Sequence, residues 1–262
     1  MCTFVILHRM RADLPLVIGA TRDEFYLRRT LPPAAANGIL AGRDLERGGS
    51  WLGVTAGGLF VGLTNQRSWV RIARAARTRG EVVMRALQSG SFDGVRALLG
   101  EIDAHEYGGF NLLFGDGERL AVAYAHPERS PVPVVEDIEP GFHVLPNDRL
   151  DAPDWPKVGW ARELVSTHAS APWDELAAAL GAALGSHRRA PLEEVPEPPP
   201  DFPLRREFLR ELSAICIHTE AYGTRSATIT AIAPGRTLSH RVADGPACVT
   251  PFVELSPLLS PA

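Results

Sequence analysis

SWLGVTAGGLFVGLTN, residues 50–65, contains two short apolar runs separated by Ala56-Gly57-Gly58. Glycine reaches the left-handed backbone that a tight reversal needs, so the stretch reads as a β-hairpin. The same logic finds two more hairpins. GFNLLFGDGERLAVAYAH, residues 109–126, turns at Gly115-Asp116-Gly117, and TRSATITAIAPGRTLSHRVAD, residues 224–244, turns near Pro234-Gly235. Hairpins join antiparallel strands, so the sheets of this chain are expected to be antiparallel.

Other segments extend the pattern. TFVILH (3–8), LPLVIGATRDEF (14–25), VPVVED (132–137) and GFHVLPN (141–147) read as strands, and ILAG (39–42) follows a Pro/Ala loop. GEVVMRALQSG (80–90) and FDGVRALLGEI (92–102) space their apolar residues for helices, as do WPKVGWARELVSTH (155–168) and PWDELAAALGAALG (172–185). The order is strands, two helices, strands, two helices, strands. This predicts an α+β fold in which helix pairs cover the faces of antiparallel sheets, with no alternating βαβ units. RRAPLEEVPEPPPDFP, within about 188–203, is too rich in proline for regular structure and is expected to be a surface loop within a single domain spanning 1–262.

Composition narrows the function. A net charge of -4 with interleaved signs gives no footprint for nucleic acid. The one basic run, RSWVRIARAARTR (67–79), reads as a solvated loop leading into a helix, or as a hold for an anionic group of a substrate. There is no G-x-G-x-x-G after a strand and no phosphate-binding loop, so no nucleotide site is expected. No apolar run is long enough to span a bilayer, and the first residues lack a signal-peptide pattern; a cytoplasmic protein is expected. Three cysteines, Cys2, Cys216 and Cys248, make no disulfide framework. Neither they nor the eight scattered histidines show zinc-ligand spacing, so no metal and no cofactor is expected. Cys216, inside SAICIHT, reads as core, and Cys248 has no evident partner.

The opening MCTFVILH raises a sharper possibility. Cys2 can simply open a strand. If Met1 is removed, Cys2 instead carries a thiol and a free α-amine on one carbon, a nucleophile and a base together. Polar residues also gather at strand ends: Thr21-Arg22-Asp23-Glu24, Asn65, Asn147, and Tyr222-Gly223-Thr224-Arg225-Ser226. Each alone fits a turn residue or a surface pair.

Taken together, these segments resemble the NRDE family, which includes the eukaryotic transport and Golgi organization proteins. The resemblance runs from Met1 to about Val242. It rests on MCT, TRDEF, GRDLERGGSWLGV leading to GLTN, GGFNLLFGD, LPNDRLDAPDWPKV and YGTRSAT. The chain departs from the family's Asn-Arg-Asp-Glu at Thr21, which stands where the Asn would be. The family in turn is similar to N-terminal nucleophile hydrolases of the penicillin V acylase and bile salt hydrolase type, which begin Met-Cys-Thr and cleave linear amides after losing the Met. That likeness implies a four-layer αββα sandwich and maps a catalytic set onto Cys2, Arg22, Asp23, Asn65, Asn147 and Arg225.

The implied roles are chemical. A thiol near ~8.5 and an α-amine near ~8 exchange a proton readily at neutral pH. Cys2 would attack while its amine carries the proton. Arg22 would favour the thiolate and Asp23 would fix the α-ammonium. Asn65 would donate to the oxyanion, Asn147 would orient the N-terminus or complete that hole, and Arg225 would pair with Asp23 or balance the site's charge. Glu24 falls on the opposite strand face from Asp23 and reads as structural. Asn111 reads as a buried, satisfied amide, and Gly48-Gly49-Ser50-Trp51 as a loop that could rim the pocket. The expected partner is a small molecule: an acyl amide for a hydrolase, or haem, lipid or acyl-CoA if the family resemblance signals a non-catalytic carrier on the same fold.

Overall fold

The structure is a computed structural model that describes residues 2–66 and 76–260. In chain order it contains β1 (Cys2–His8), β2 (Leu16–Phe25), β3 (Thr30–Ala36), β4 (Ile39–Asp44), β5 (Leu52–Thr55) and β6 (Phe60–Asn65). Then come α1 (Arg79–Gln88), α2 (Phe92–Gly100), β7 (Phe110–Gly115), β8 (Leu120–Ala125), β9 (Val134–Asp137) and β10 (Gly141–Leu145). The last third holds α3 (Pro156–Val165), α4 (Trp173–Leu184), α5 (Arg206–Glu211), β11 (Tyr222–Ala233), β12 (Arg236–Ala243) and β13 (Val253–Glu254).

The strands form two antiparallel sheets. One has the order β10-β1-β2-β11-β12-β13, the other β3-β4-β5-β6-β7-β8-β9. Strand alternation decides the layering. In β1 and β2, Phe4, Ile6, Leu16, Ile18 and Ala20 point between the sheets and meet Phe60, Leu113 and Val122 of the other sheet. Val5, Leu7 and Val17 point the other way, onto Val158, Ala161, Leu176 and Leu180 of α3 and α4. On the far side, Val61 and Leu112 pack under Val83, Leu87, Val95 and Leu99 of α1 and α2. Three apolar layers thus separate helix pair, sheet, sheet and helix pair, the αββα sandwich expected from the sequence.

All three hairpins form, as β5–β6, β7–β8 and β11–β12. Their turns stack. Gly58 has φ +81°, and a Cβ there would stand 2.7 Å from the backbone nitrogen of Arg236 in the opposite sheet's turn. Within the sandwich, a Cβ on Gly62 would lie 2.7 Å from the Phe4 ring, so the sheets approach closely there because position 62 has no side chain.

One local reading needs correction, and two segments add to what was read. The Pro/Ala stretch expected to be a loop is β3, at a sheet edge; its register shifts between Leu31 and Ala34, around Pro32 and Pro33. An edge tolerates residues that cannot donate a ladder hydrogen bond. The short elements α5 and β13 carry too few residues to show a period and went unread. The Pro-rich stretch is irregular apart from one 3-10 turn at Leu192–Glu194, and it buries Ala190 and Val195 against the body. Residues 67–75 of the basic run lie outside the described residues, as does Met1. Among the described residues no helix is long and apolar enough to cross a membrane.

Candidate active site

Cys2 opens β1 directly opposite Arg22 of β2. Both side chains fall on the inter-sheet face, at the end of the sandwich where β6 of the other sheet also ends, in Asn65. One pocket is lined by Cys2, Arg22, Asp23 and Asn65, together with Trp51 and Arg79. The guanidinium of Arg22 is buried and lies over the Trp51 ring, 4.2 Å from its centroid. Burial pushes the Cys2 thiol above its ordinary value. Arg22 and a hydrogen bond from the Asp23 backbone N–H act in the opposite direction without overcoming it. Burial thus disfavours the thiolate, so attack by sulfur needs a proton acceptor nearby.

Asp23 faces the helix layer behind the sheet. Burial raises its pKa, and Lys157 and Arg22 counter that with positive charge. The Thr224 hydroxyl donates to its Oδ1 at 2.6 Å, and the Tyr222 hydroxyl donates to its backbone carbonyl at 3.0 Å. Lys157 comes from the first turn of α3, has no solvent exposure, and donates to the Thr3 hydroxyl at 3.4 Å. Burial lowers its pKa to about 8, against the pull of Asp23 and Cys2.

Asn147 follows β10 and is fully buried. Its Nδ2 donates to the Asn65 backbone carbonyl at 2.9 Å, which ties the two strand ends together. Its Oδ1 has no hydrogen-bond partner among the described residues. Asn111 reinforces the same corner by donating to the Thr64 hydroxyl at 3.0 Å and to the Asp148 carbonyl at 2.8 Å, while its own oxygen lacks a partner among the described residues. The amide is buried, as expected, but only half satisfied. Its bonds hold the loop that carries Asn147.

Arg225 is placed differently from expectation. A register shift between Thr224 and Ser226 puts it at an irregularity in β11. Its guanidinium donates to the carbonyls of Phe25, Tyr26 and Arg28, at 3.1, 2.8 and 3.2 Å, and Thr224 takes the position on Asp23. Thr21, the departure from the family motif, accepts the Thr3 N–H at 3.2 Å and sits with Thr3 on the helix-facing side. Glu24 does point away from Asp23, but this puts it on the Cys2 side, where it lines the pocket and pairs with Arg28 at 3.3 Å.

Sequence reading missed Lys157, Thr224 and Arg79. The first two lie inside LPNDRLDAPDWPKV and YGTRSAT, so their blocks were visible and their roles were not. Arg79 is the last residue of the basic run; burial lowers its pKa, and it donates to the Gly109 carbonyl at 3.2 Å. Next to Asn65, Gln66 borders a separate apolar cavity of about 220 Å³ walled by Trp155, Val195, Phe202, Leu209 and Leu212.

The family model described as Transport and Golgi organisation 2 matches residues 1–239. The chain belongs to the Transport and Golgi organisation 2 family. Relatives in that family include the Bos taurus transport and Golgi organization protein 2 homolog, 33% identical over 236 residues, covering 82% of this chain and 80% of the relative. The Homo sapiens homolog is 32% identical over 240 residues, with the same coverage. Among solved structures, the chain is similar to a Caenorhabditis elegans N-acylethanolamine-hydrolyzing acid amidase ortholog, with TM-score 0.49, 11% identity, and 87% and 92% of the two chains covered. It is also similar to a conjugated bile acid hydrolase from Clostridium perfringens, with TM-score 0.48, 10% identity, and 97% and 96% covered.

Proposed function

We propose that this chain is an N-terminal-cysteine hydrolase acting on a linear amide or a related acyl substrate. With Met1 removed, the α-amine of Cys2 takes the thiol proton as sulfur attacks the carbonyl carbon. The C–N bond breaks as that proton passes to the leaving amine, and a thioester on Cys2 remains. Water, deprotonated by the same amine, then attacks the thioester, and the acid leaves as the proton returns to sulfur. Asn65 donates to the oxyanion; removing one such donor typically costs about 10²–10³ in rate. Asn147 holds Asn65, Asp23 fixes the α-ammonium, and Arg225 secures the chain after β2.

The observation that carries this reading is the pocket to which Cys2 of β1, Arg22 and Asp23 of β2, and Asn65 of β6 all contribute. Arg22, Arg28 and Arg79 share that lining with Asp23, Glu24 and Asp44, so the pocket offers both signs of charge to a polar substrate. A carrier for lipid, acyl-CoA or haem is the second reading, favoured by the apolar cavity beside Gln66.

The test is intact mass of protein made without an N-terminal tag, before and after exposure to an electrophilic amide analogue. The hydrolase reading expects loss of Met1 and one adduct on Cys2, absent in Cys2→Ala and in a chain bearing an uncleavable N-terminal extension. Retained Met1, or an unlabelled Cys2 with lipid binding equal in wild type and Cys2→Ala, would leave the carrier reading.

A further inference from the structure

Outside the Cys2 pocket, His187, Cys216, His218 and Cys248 each bring one ligand atom to a common point, all within 4.8 Å of one another. They come from three places in the chain. His187 follows α4, Cys216 and His218 flank Ile217 on the approach to β11, and Cys248 lies in the turn after β12. Their spacing in sequence matches no metal motif, and only folding assembles them.

The separations are informative. Cys216 Sγ lies 3.7 Å from Cys248 Sγ and 3.6 Å from His218 Nε2, and His218 Nε2 lies 3.3 Å from Cys248 Sγ. A disulfide needs about 2.05 Å between sulfurs. A tetrahedral zinc ion, with bonds of about 2.3 Å to sulfur and about 2.0–2.1 Å to nitrogen, sets S–S edges near ~3.8 Å and S–N edges near ~3.5 Å. The three edges among Cys216, His218 and Cys248 follow the tetrahedron, and the His187 ligand atom lies within 4.8 Å of all three.

The surroundings are built for it. Nδ1 of His187 pairs with the Cys216 carbonyl at 3.2 Å, which fixes the ring and leaves Nε2 for the cluster. Metal-binding imidazoles are commonly oriented in this way. The Cys216 backbone N–H is bonded to the Ser186 carbonyl at 2.9 Å, linking two of the contributing segments. Gly185 lets the end of α4 lie on the third, since a Cβ there would stand 3.2 Å from the Cys248 Cα.

We propose that His187, Cys216, His218 and Cys248 form a structural zinc site. Two thiolates and two imidazoles are the donor set that selects zinc over hard cations, and four protein ligands leave no open position for catalysis. Binding releases the two thiol protons to solvent. The ion would close the turn that leads into β11. There Thr224 N–H donates to the Ile217 carbonyl at 2.8 Å, and the Thr224 hydroxyl both accepts the Ile217 N–H at 2.9 Å and donates to Asp23. The zinc site thus braces the segment that presents Thr224.

The full chain, stripped of metal with a chelator under reducing conditions, is titrated with Co²⁺ and then Zn²⁺. The expected result is one tetrahedral cobalt per chain with a thiolate-to-cobalt charge-transfer band, displaced by zinc, and a higher Tm with zinc bound. Cys248 and the two histidines are exposed, so Cys248→Ser and His187→Ala fold and should weaken zinc by more than about 100-fold, beyond what loss of an outer partner costs. Cys2→Ala should bind as wild type does. Absence of the charge-transfer band, its persistence at full strength in Cys248→Ser, or a Cys216–Cys248 disulfide in protein purified without oxidant would overturn the proposal.

Discussion

Lys157 is a charge carrier with no contact to water, so the fold must either supply it with anions or strip its proton. It does part of each: Asp23 and Cys2 stabilise the ammonium, and burial still lowers the pKa from 10.5 to about 8. Below about 8 the lysine is charged in both the folded and the unfolded chain. Between there and 10.5 the unfolded chain holds a proton that the fold does not, so this residue's contribution to stability rises with pH. The slope cannot exceed one proton, about 1.4 kcal/mol per pH unit. Urea unfolding of wild type and Lys157→Met across that window should show the wild type gaining on the variant as pH increases. Parallel pH profiles would mean that Lys157 has an ordinary pKa, with burial's effect fully offset by Asp23 and Cys2. None of this could be read from WPKV, because a lysine after a helix-opening proline looks solvent-facing until the neighbouring sheet is in place.

At the scale of elements, the hairpin of β5 and β6 does two jobs: its turn touches the other sheet, and Gly62 admits the Phe4 ring. An aromatic ring locked between two sheets cannot slide aside for a methyl group at 2.7 Å. Gly62→Ala should therefore cost about 1–3 kcal/mol, which for a chain of this size lowers Tm by roughly 2–4 °C per kcal/mol. An unchanged Tm by calorimetry would show that the sheets can part at no cost. The hairpins were legible because glycine turns and short apolar runs are local signals. Asn65 and Asn147 were legible as strand ends, and the family motifs drew them together. The role of Arg225 was not, because one register irregularity in β11 redirects the side chain, and such an irregularity leaves no trace in composition. Trp51 was read as a rim at best, yet it stacks on Arg22 from the opposite sheet, a contact that exists only after the layers assemble.

Across the whole molecule, paired helices between sets of strands announced helix-covered antiparallel sheets, and the family likeness implied the four-layer order. Which strand ends share a pocket was implied by the family likeness and not by any local signal, and that Lys157 lies behind Asp23 was implied by neither. The strand-ends most exposed to other molecules are those at the sheet margins, and β3 is one of them. Two of its seven positions, Pro32 and Pro33, have no amide hydrogen to offer. In a crowded solution, that gap interrupts the template on which a second chain could stack its own backbone. Replacing both prolines with valine should leave the folded monomer intact yet raise light scattering on prolonged incubation. Scattering unchanged at equal concentration would mean that this margin never seeded self-assembly. If scattering does rise, the two prolines serve colloidal lifetime, and the chain carries in them a safeguard against fibre growth that neither its pocket nor its core requires.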